Sequence, residues 1–303
     1  MQVIKYRSLW FTISGLLIAA SIASLFIWGL KFGIDFTGGS IEEISWNVPR
    51  PQTAEIAAVF KDQGVEDVLI QNSGDKETIQ RFKNVDEPEH AKILAALQAK
   101  FATKDVAGAK VLEEKSFSSI GPTIGNEMRT KSIYAVIMVL LAIILYVAWA
   151  FRRVSRPVAS WKYGVAAVIA LCHDVFIPVG FFSVLGHFLG YEIDILFVTA
   201  LLTVLGFSVH DTIVVFDRIR ENLLKRDGQF EDIVNYSVNQ TFTRSINTSL
   251  TVMVVLLAVF LFGGASIKNF VLTLIIGVFF GTYSSIFIAS PILVVWQKFG
   301  GKK

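Results

Sequence analysis

Asp211 stands inside a long apolar stretch, next to His210 and shortly before the charged run Asp217-Arg218-Ile219-Arg220-Glu221-Asn222. An ionisable group in hydrocarbon is costly, so such residues face a bundle interior and carry function by default. A carboxyl group held between helices can take up and release a proton, and a cation moving towards or away from it would switch its protonation. Arg244, which opens a later apolar stretch, is the candidate cation, and Thr248, Ser249 and Thr251 follow it. These hydroxyls could bond back to their own helix or across to Asp211. A competing reading places Asp211 on the polar face of a helix that runs out of the membrane through Arg218. His173-Asp174 is a second intramembrane pair, open to two readings: a relay, or interhelical hydrogen bonds that set packing. His210 is a titratable neighbour of Asp211 that reads first as a packing or hydrogen-bonding group. Gly277-xxx-Gly281 permits close helix approach.

Other chemistry finds no footing in the residues. The chain has no Walker loop, no dinucleotide fingerprint after a strand, no His-Glu-x-x-His and no Gly-x-Ser-x-Gly elbow. His173-Asp174 alone lacks neighbours at ligand spacing, so no metal, cofactor or enzymatic site is expected. The single cysteine, Cys172, rules out an intrachain disulfide. A net charge of +3, with no basic run interleaved with aromatics, excludes nucleic acid as the expected partner. Work done by this chain would draw on a gradient or a partner.

The elements that must position these groups are membrane spans. Of the 303 residues 53% are hydrophobic and only 17% are charged, below the quarter usual in soluble domains. Six apolar windows can cross a ~30 Å hydrocarbon layer: Leu9–Leu30, Ser132–Phe151, Tyr163–His187, Ile193–Phe216, Ile246–Phe262 and Phe270–Trp296. The first is preceded by Lys5 and Arg7 and contains small residues at Ser21-Ile22-Ala23, as a cleaved signal would. Its apolar run continues through Trp28, which favours a retained anchor. Lys5 and Arg7, then Arg152, Arg153, Arg156 and Lys162, then Arg218, Arg220, Lys225, Arg226 and Arg244, and finally Lys298, Lys302 and Lys303 all fall on one side if the spans alternate. The positive-inside rule then makes residues 1–8 and 297–303 cytoplasmic and residues 31–131 extracytoplasmic, with 9–30 as the first span and 132–296 holding spans two to six.

Residues 31–131 read as a small α+β domain. Ile44, Trp46 and Val48 alternate as in a strand, and Pro51–Gln63 and Pro88–Phe101 carry apolar residues at helical spacing. Val65–Gln71 and Thr78–Val85 flank the turn Asn72-Ser73-Gly74-Asp75, and Lys110–Phe117 could close the sheet. The order β-α-β-β-α-β is that of the ferredoxin-like split motif. The expected fold class is therefore an α-helical polytopic membrane protein of six spans with a small ferredoxin-like extracytoplasmic domain.

Three stretches are more specific: Gly33-Ile34-Asp35-Phe36-Thr37-Gly38-Gly39 after span one, Ile120-Gly121-Pro122-Thr123-Ile124-Gly125-Asn126-Glu127 before span two, and Gly206 through Asn222 closing span four. Together they resemble the SecF family of bacterial membrane proteins, a branch of the proton-driven RND superfamily. The resemblance implies six spans as one half of a pseudosymmetric heterodimer with SecD, in the inner membrane beside the SecYEG channel, with YajC or YidC as further partners. It implies a role in late, periplasmic export of preproteins, driven by the proton-motive force, and makes residues 31–131 periplasmic. Asp211 matches the family's span-four aspartate of the proton pathway and Arg244 its arginine at the start of span five. Ser245 replaces a usual Thr, and His210 stands where many relatives have Asn. Gly33, Asp35, Gly38 and Gly39, with Gly121, Pro122 and Gly125, mark where the chain passes between membrane and domain and could hinge there; ordinary turn chemistry is the alternative. An RND-type exporter half and a purely structural channel subunit are the rival functions. H⁺ and Na⁺ remain equally open as the coupling ion.

Overall fold

A run of some twenty apolar residues in lipid must satisfy its backbone polar groups internally, and a helix does so. The computed structural model describes residues 2–102, 110–150, 159–264 and 267–300. Among them six helices are long and apolar enough to cross a membrane. They begin with α1 (Arg7–Trp28), after which come a short α2 (Ile34–Thr37) and the strands and helices of the α+β unit: β1 (Gly39–Trp46), α3 (Thr53–Asp62), β2 (Leu69–Ser73), β3 (Glu77–Phe82), α4 (Glu87–Phe101) and β4 (Leu112–Ile120). The other five spans are α5 (Pro122–Ala150), α6 (Ser160–Leu189), α7 (Ile195–Lys225), α8 (Phe230–Phe262) and a last one made of α9 (Lys268–Ser284), a π-helical turn (Ser285–Ala289) and α10 (Ser290–Gly300). The chain divides into two compact units, Phe32–Lys131 and the remainder.

Several helices outrun the apolar windows. α5 begins at Pro122 rather than Ser132, α7 runs on to Lys225, and α8 starts at Phe230 rather than Ile246. Hydropathy registers residence in lipid, whereas a helix continues wherever its polar turns are stabilised. Glu231 and Asp232 lie in the first turn of α8, where carboxylates favour the positive end of the helix dipole. Along α7, Arg218–Glu221 and Lys225–Glu221 pairs bridge successive turns. Asp194 caps α7 by accepting a hydrogen bond from Phe197 N at 2.7 Å. Phe151, the expected end of span two, and Arg152, Arg153, Arg156, Lys302 and Lys303, used for orientation, lie outside the described residues.

The interior of the helical unit is built around α6 and the last span. More than half of the 18-residue apolar stretch of each is buried within the chain, against 6% of that of α5. Small residues bring the axes together. A Cβ at Gly180 of α6 would stand 2.3 Å from the Ser21 Cβ of α1, and one at Gly277 of α9 would stand 2.2 Å from a Val204 methyl of α7. Gly277 and Gly281 are thus close-approach positions, as their spacing predicts. The Val204 methyls are buried and its side chain is stiff, so they cannot give way. Gly277→Ala is expected to cost about 1–3 kcal/mol by overpacking. Val204→Ala in the same chain should restore part of the loss, measured by thermal unfolding in detergent. Additive losses in the double variant would show that the two sites do not meet.

The α+β unit has the predicted element order. Its sheet runs β2-β3-β1-β4 with every neighbouring pair antiparallel, the ferredoxin-like arrangement. Element boundaries shift by a few residues. Val65 does not open a strand; it follows the end of α3 and joins the core, as does Val48 beyond β1. On β1, beyond the buried Gly39, the buried residues are Ser40, Glu42, Ile44 and Trp46, alternating as a half-covered strand must. Ile44 and Trp46 meet Ile56 and Phe60 of α3 and Ile93 and Leu97 of α4 in one apolar core. The other half of that face is polar: Glu42 and Gln80 are fully buried, and burial pushes the Glu42 carboxyl up to about 7 although the His90 beside it acts to lower it.

Candidate functional site

Helix α7 presents Ser208 and Asp211, three residues apart and therefore on neighbouring parts of one face. Helix α8 supplies Ser245, whose hydroxyl donates to Asp211 Oδ1 at 2.6 Å. The last span supplies Ser285, whose hydroxyl donates to Asp211 Oδ2 at 2.5 Å. Three helices therefore meet on one half-buried carboxylate. A second carboxylate, Asp174 of α6, is fully buried. Its Oδ1 lies 2.9 Å from His173 Nδ1, and its Oδ2 accepts from Ser208 at 2.5 Å and from Ser284 at 2.7 Å.

The two carboxylates take partners that are adjacent in sequence. Ser284 and Ser285 are consecutive, and residues one apart on a helix point ~100° apart, so one serves α6 while the other serves α7. They sit where α9 passes into the π-helical turn Ser285–Ala289. Such turns are uncommon and recur at functional sites. Deeper in the bundle Ser249 of α8 and Thr282 of α9 share a hydrogen bond. Two buried atoms beside these groups, His173 Nε2 and Thr212 Oγ1, have no hydrogen-bond partner among the described residues. The assembly is two acid–hydroxyl clusters, one on Asp174 between α6, α7 and the last span and one on Asp211 between α7, α8 and the last span.

The structure brings only part of the sequence-predicted set together. Asp211 and Asp174 are in place. Arg244 is exposed and, among the described residues, makes no ion pair, so the expected contact with Asp211 is absent from this conformation. The reason is angular: Ser245, the next residue, occupies the face of α8 turned to Asp211, which points Arg244 away. Thr248 and Thr251 are exposed as well, and Thr251 bonds back to the Thr248 carbonyl at 2.8 Å. His210 is exposed on α7, beside the carboxylate in sequence but on another face. Ser208, Ser284 and Ser285 are the residues that sequence reading missed. A signal existed in Ser208 one turn before Asp211 and in the paired serines of an otherwise apolar span.

The two glycine motifs meet within the α+β unit. Gly33 precedes α2, in which Asp35 lies, and Gly38 (φ +74°) and Gly39 (φ +129°) lead into β1. Pro122 is the first residue of α5, where its missing N–H costs nothing. A Cβ on Gly38 would lie 2.7 Å from Pro122 Cα, and one on Gly125 would lie 2.8 Å from the Gly38 nitrogen. The motifs thus pack backbone against backbone, with Gly39 opposite Ile120 in the sheet. Gly121 has open surroundings.

Six apolar helices, four of which meet around two carboxylates, with a ferredoxin-like unit between the first two in sequence, define a polytopic helical membrane protein. Residues 100–299 match the family described as protein export membrane protein SecD/SecF, C-terminal. Protein translocase subunit SecF of Thermobaculum terrenum is 44% identical over 310 residues, covering 98% of this chain and 94% of that one. Protein translocase subunit SecDF of Bacillus subtilis is 36% identical over 297 residues, 96% of this chain and 37% of that longer one. The crystal structure of SecDF, a translocon-associated membrane protein from Thermus thermophilus, superposes with a TM-score of 0.81 at 31% identity, over 98% of this chain and 39% of that one. The chain belongs to the SecF family of protein-export membrane proteins.

Proposed function

We propose that this chain couples an ion gradient to late-stage preprotein export, with Asp211 as the coupling residue and SecD as its partner. The observation that carries the reading is the Asp211 carboxylate held between α7, α8 and the last span by Ser245 and Ser285. Support for the partner comes from relatives named SecDF, of which this chain matches little more than a third. Basic residues in the alternate loops support cytoplasmic termini, a periplasmic α+β unit and an inner-membrane location. SecYEG, with YajC or YidC, would be the wider assembly and an emerging preprotein the cargo.

Ionised Asp211 accepts from both serines. Protonation turns one carboxyl oxygen into a donor to its serine and removes the charge assistance from both bonds, which weakens the clamp between α8 and the last span. Hydrogen bonds to a charged group contribute about 1.5–3 kcal/mol each, and one charge crossing 100 mV releases ~2.3 kcal/mol. The two are matched, so a gradient of that size can shift the populations of clamped and open forms about fiftyfold. Rotating α8 by one residue's step would replace Ser245 with Arg244 at the carboxylate, giving the arginine its role in the other state. Asp174 is the second acid of the pathway, and the glycine motifs at Gly33–Gly39 and Gly121–Gly125 carry the motion as hinges.

Export of a preprotein into inverted vesicles containing SecYEG and SecD tests this. Adding the chain should raise the export rate, and a protonophore should remove the increment. Ser245→Ala with Ser285→Ala should cut the increment at least tenfold, since two charge-assisted bonds are lost, while leaving SecD association intact. An increment that survives collapse of both H⁺ and Na⁺ gradients would favour the purely structural role.

A further inference from the structure

We propose that the α+β unit carries a binding site for a divalent first-row cation of the zinc class, formed by Glu42 of β1, His90 of α4 and Glu114 of β4. The donor atoms of these three side chains lie within 4.8 Å of one another. Glu42 Oε1 and His90 Nε2 are 3.1 Å apart, close to the roughly 3.3 Å that separates two donors on one tetrahedral zinc ion. Both residues are almost completely buried. The second Glu42 oxygen, Oε2, is also buried and accepts no hydrogen bond among the described residues. A buried carboxylate oxygen without a partner is costly, and a cation would satisfy it.

Register explains why Glu114 joins them. Glu42 lies opposite Phe117 and Ile44 opposite Glu114, with a bulge between Glu43 and Ile44 that leaves Lys115 as the extra residue on β4. Without that bulge, alternation would turn Lys115 and Glu113 towards the Glu42 face. The bulge instead puts Glu114 there, the re-aiming that bulges produce. Glu114 is exposed, so its side chain can close the remaining ångström or so onto an ion held by the other two. The His90 ring is fixed by stacking on Phe117, with centroids 3.6 Å apart and planes 5° from parallel. One imidazole and two carboxylates suit Zn²⁺ and its first-row neighbours. Three protein ligands leave a fourth position for water. An ion there would tie α4 to the central strand and to the edge strand.

The test uses the full-length, tag-free chain in detergent, stripped with EDTA and dialysed against micromolar Zn²⁺, with metal content counted by mass spectrometry. About one Zn²⁺ per chain is expected, and Co²⁺ should give the visible bands of a low-coordinate nitrogen–oxygen site. Glu114→Gln should weaken binding at least tenfold, and His90→Gln should abolish the stoichiometric site. Glu114 is exposed, so its variant retains the fold even where one at Glu42 does not. No stoichiometric uptake, or uptake that both substitutions leave unchanged, overturns the proposal.

Discussion

Asp211→Asn is expected to remove the gradient-dependent part of preprotein export, a loss of about tenfold or more, while SecD association stays normal. The amide keeps the shape of the carboxylate and can still accept from Ser245 or Ser285, so the fold has no reason to change. What it cannot do is alternate between a charged and a neutral form, and that alternation is the proposed link to the gradient. The energy at stake, ~2.3 kcal/mol per charge per 100 mV, sets the expected size. The assay compares export into inverted vesicles with and without a protonophore, beside co-purification with SecD. An unchanged gradient response in the Asn variant would sink the role given to Asp211 and leave the structural reading.

The second large effect is expected at Asp174, where the two variants separate packing from relay. Asp174→Ala removes the acceptor of His173, Ser208 and Ser284 at a fully buried position. Leaving those donors unpaired should cost about 3 kcal/mol or more, read as early thermal unfolding in detergent. Asp174→Asn keeps an acceptor and most of the packing, so it should unfold within a few degrees of the parent chain. Its export response to the gradient should nonetheless fall, because the amide cannot take up and release a proton. A stable Asn variant with full gradient response assigns Asp174 to helix packing alone.

The α+β unit was legible because its signals are local. Alternation on Ile44 and Trp46, helical spacing in α3 and α4, and a turn at Gly74 prescribe β-α-β-β-α-β, and that order leaves few sheets to choose from. What escaped was Glu42, since nothing in a solvated-looking Glu42-Glu43 pair says that one carboxylate is buried against His90. In the membrane unit Asp211 and Asp174 were found because a charge in an apolar run stands out by itself. Arg244, the candidate cation, does not reach Asp211 in this conformation, and of the two readings open for Thr251 the structure shows the bond back to its own helix; spacing along α8 does not state which face turns inward, and Ser245 holds that face. Ser284 and Ser285 went unseen because serine in a membrane helix bonds its own backbone as a rule.

By itself the sequence determined what is additive along the chain: six spans, the order of the α+β elements and the two acids that hydrocarbon makes conspicuous. Each follows from the transfer free energy or local periodicity of a single segment. Only the tertiary structure decided the rest: which serines meet which carboxylate, that Arg244 points away, and that a bulge turns Glu114 towards Glu42 and His90. Those depend on the rotation of each helix and the register of each strand. Both are set by side chains far apart in sequence, so no single segment encodes them.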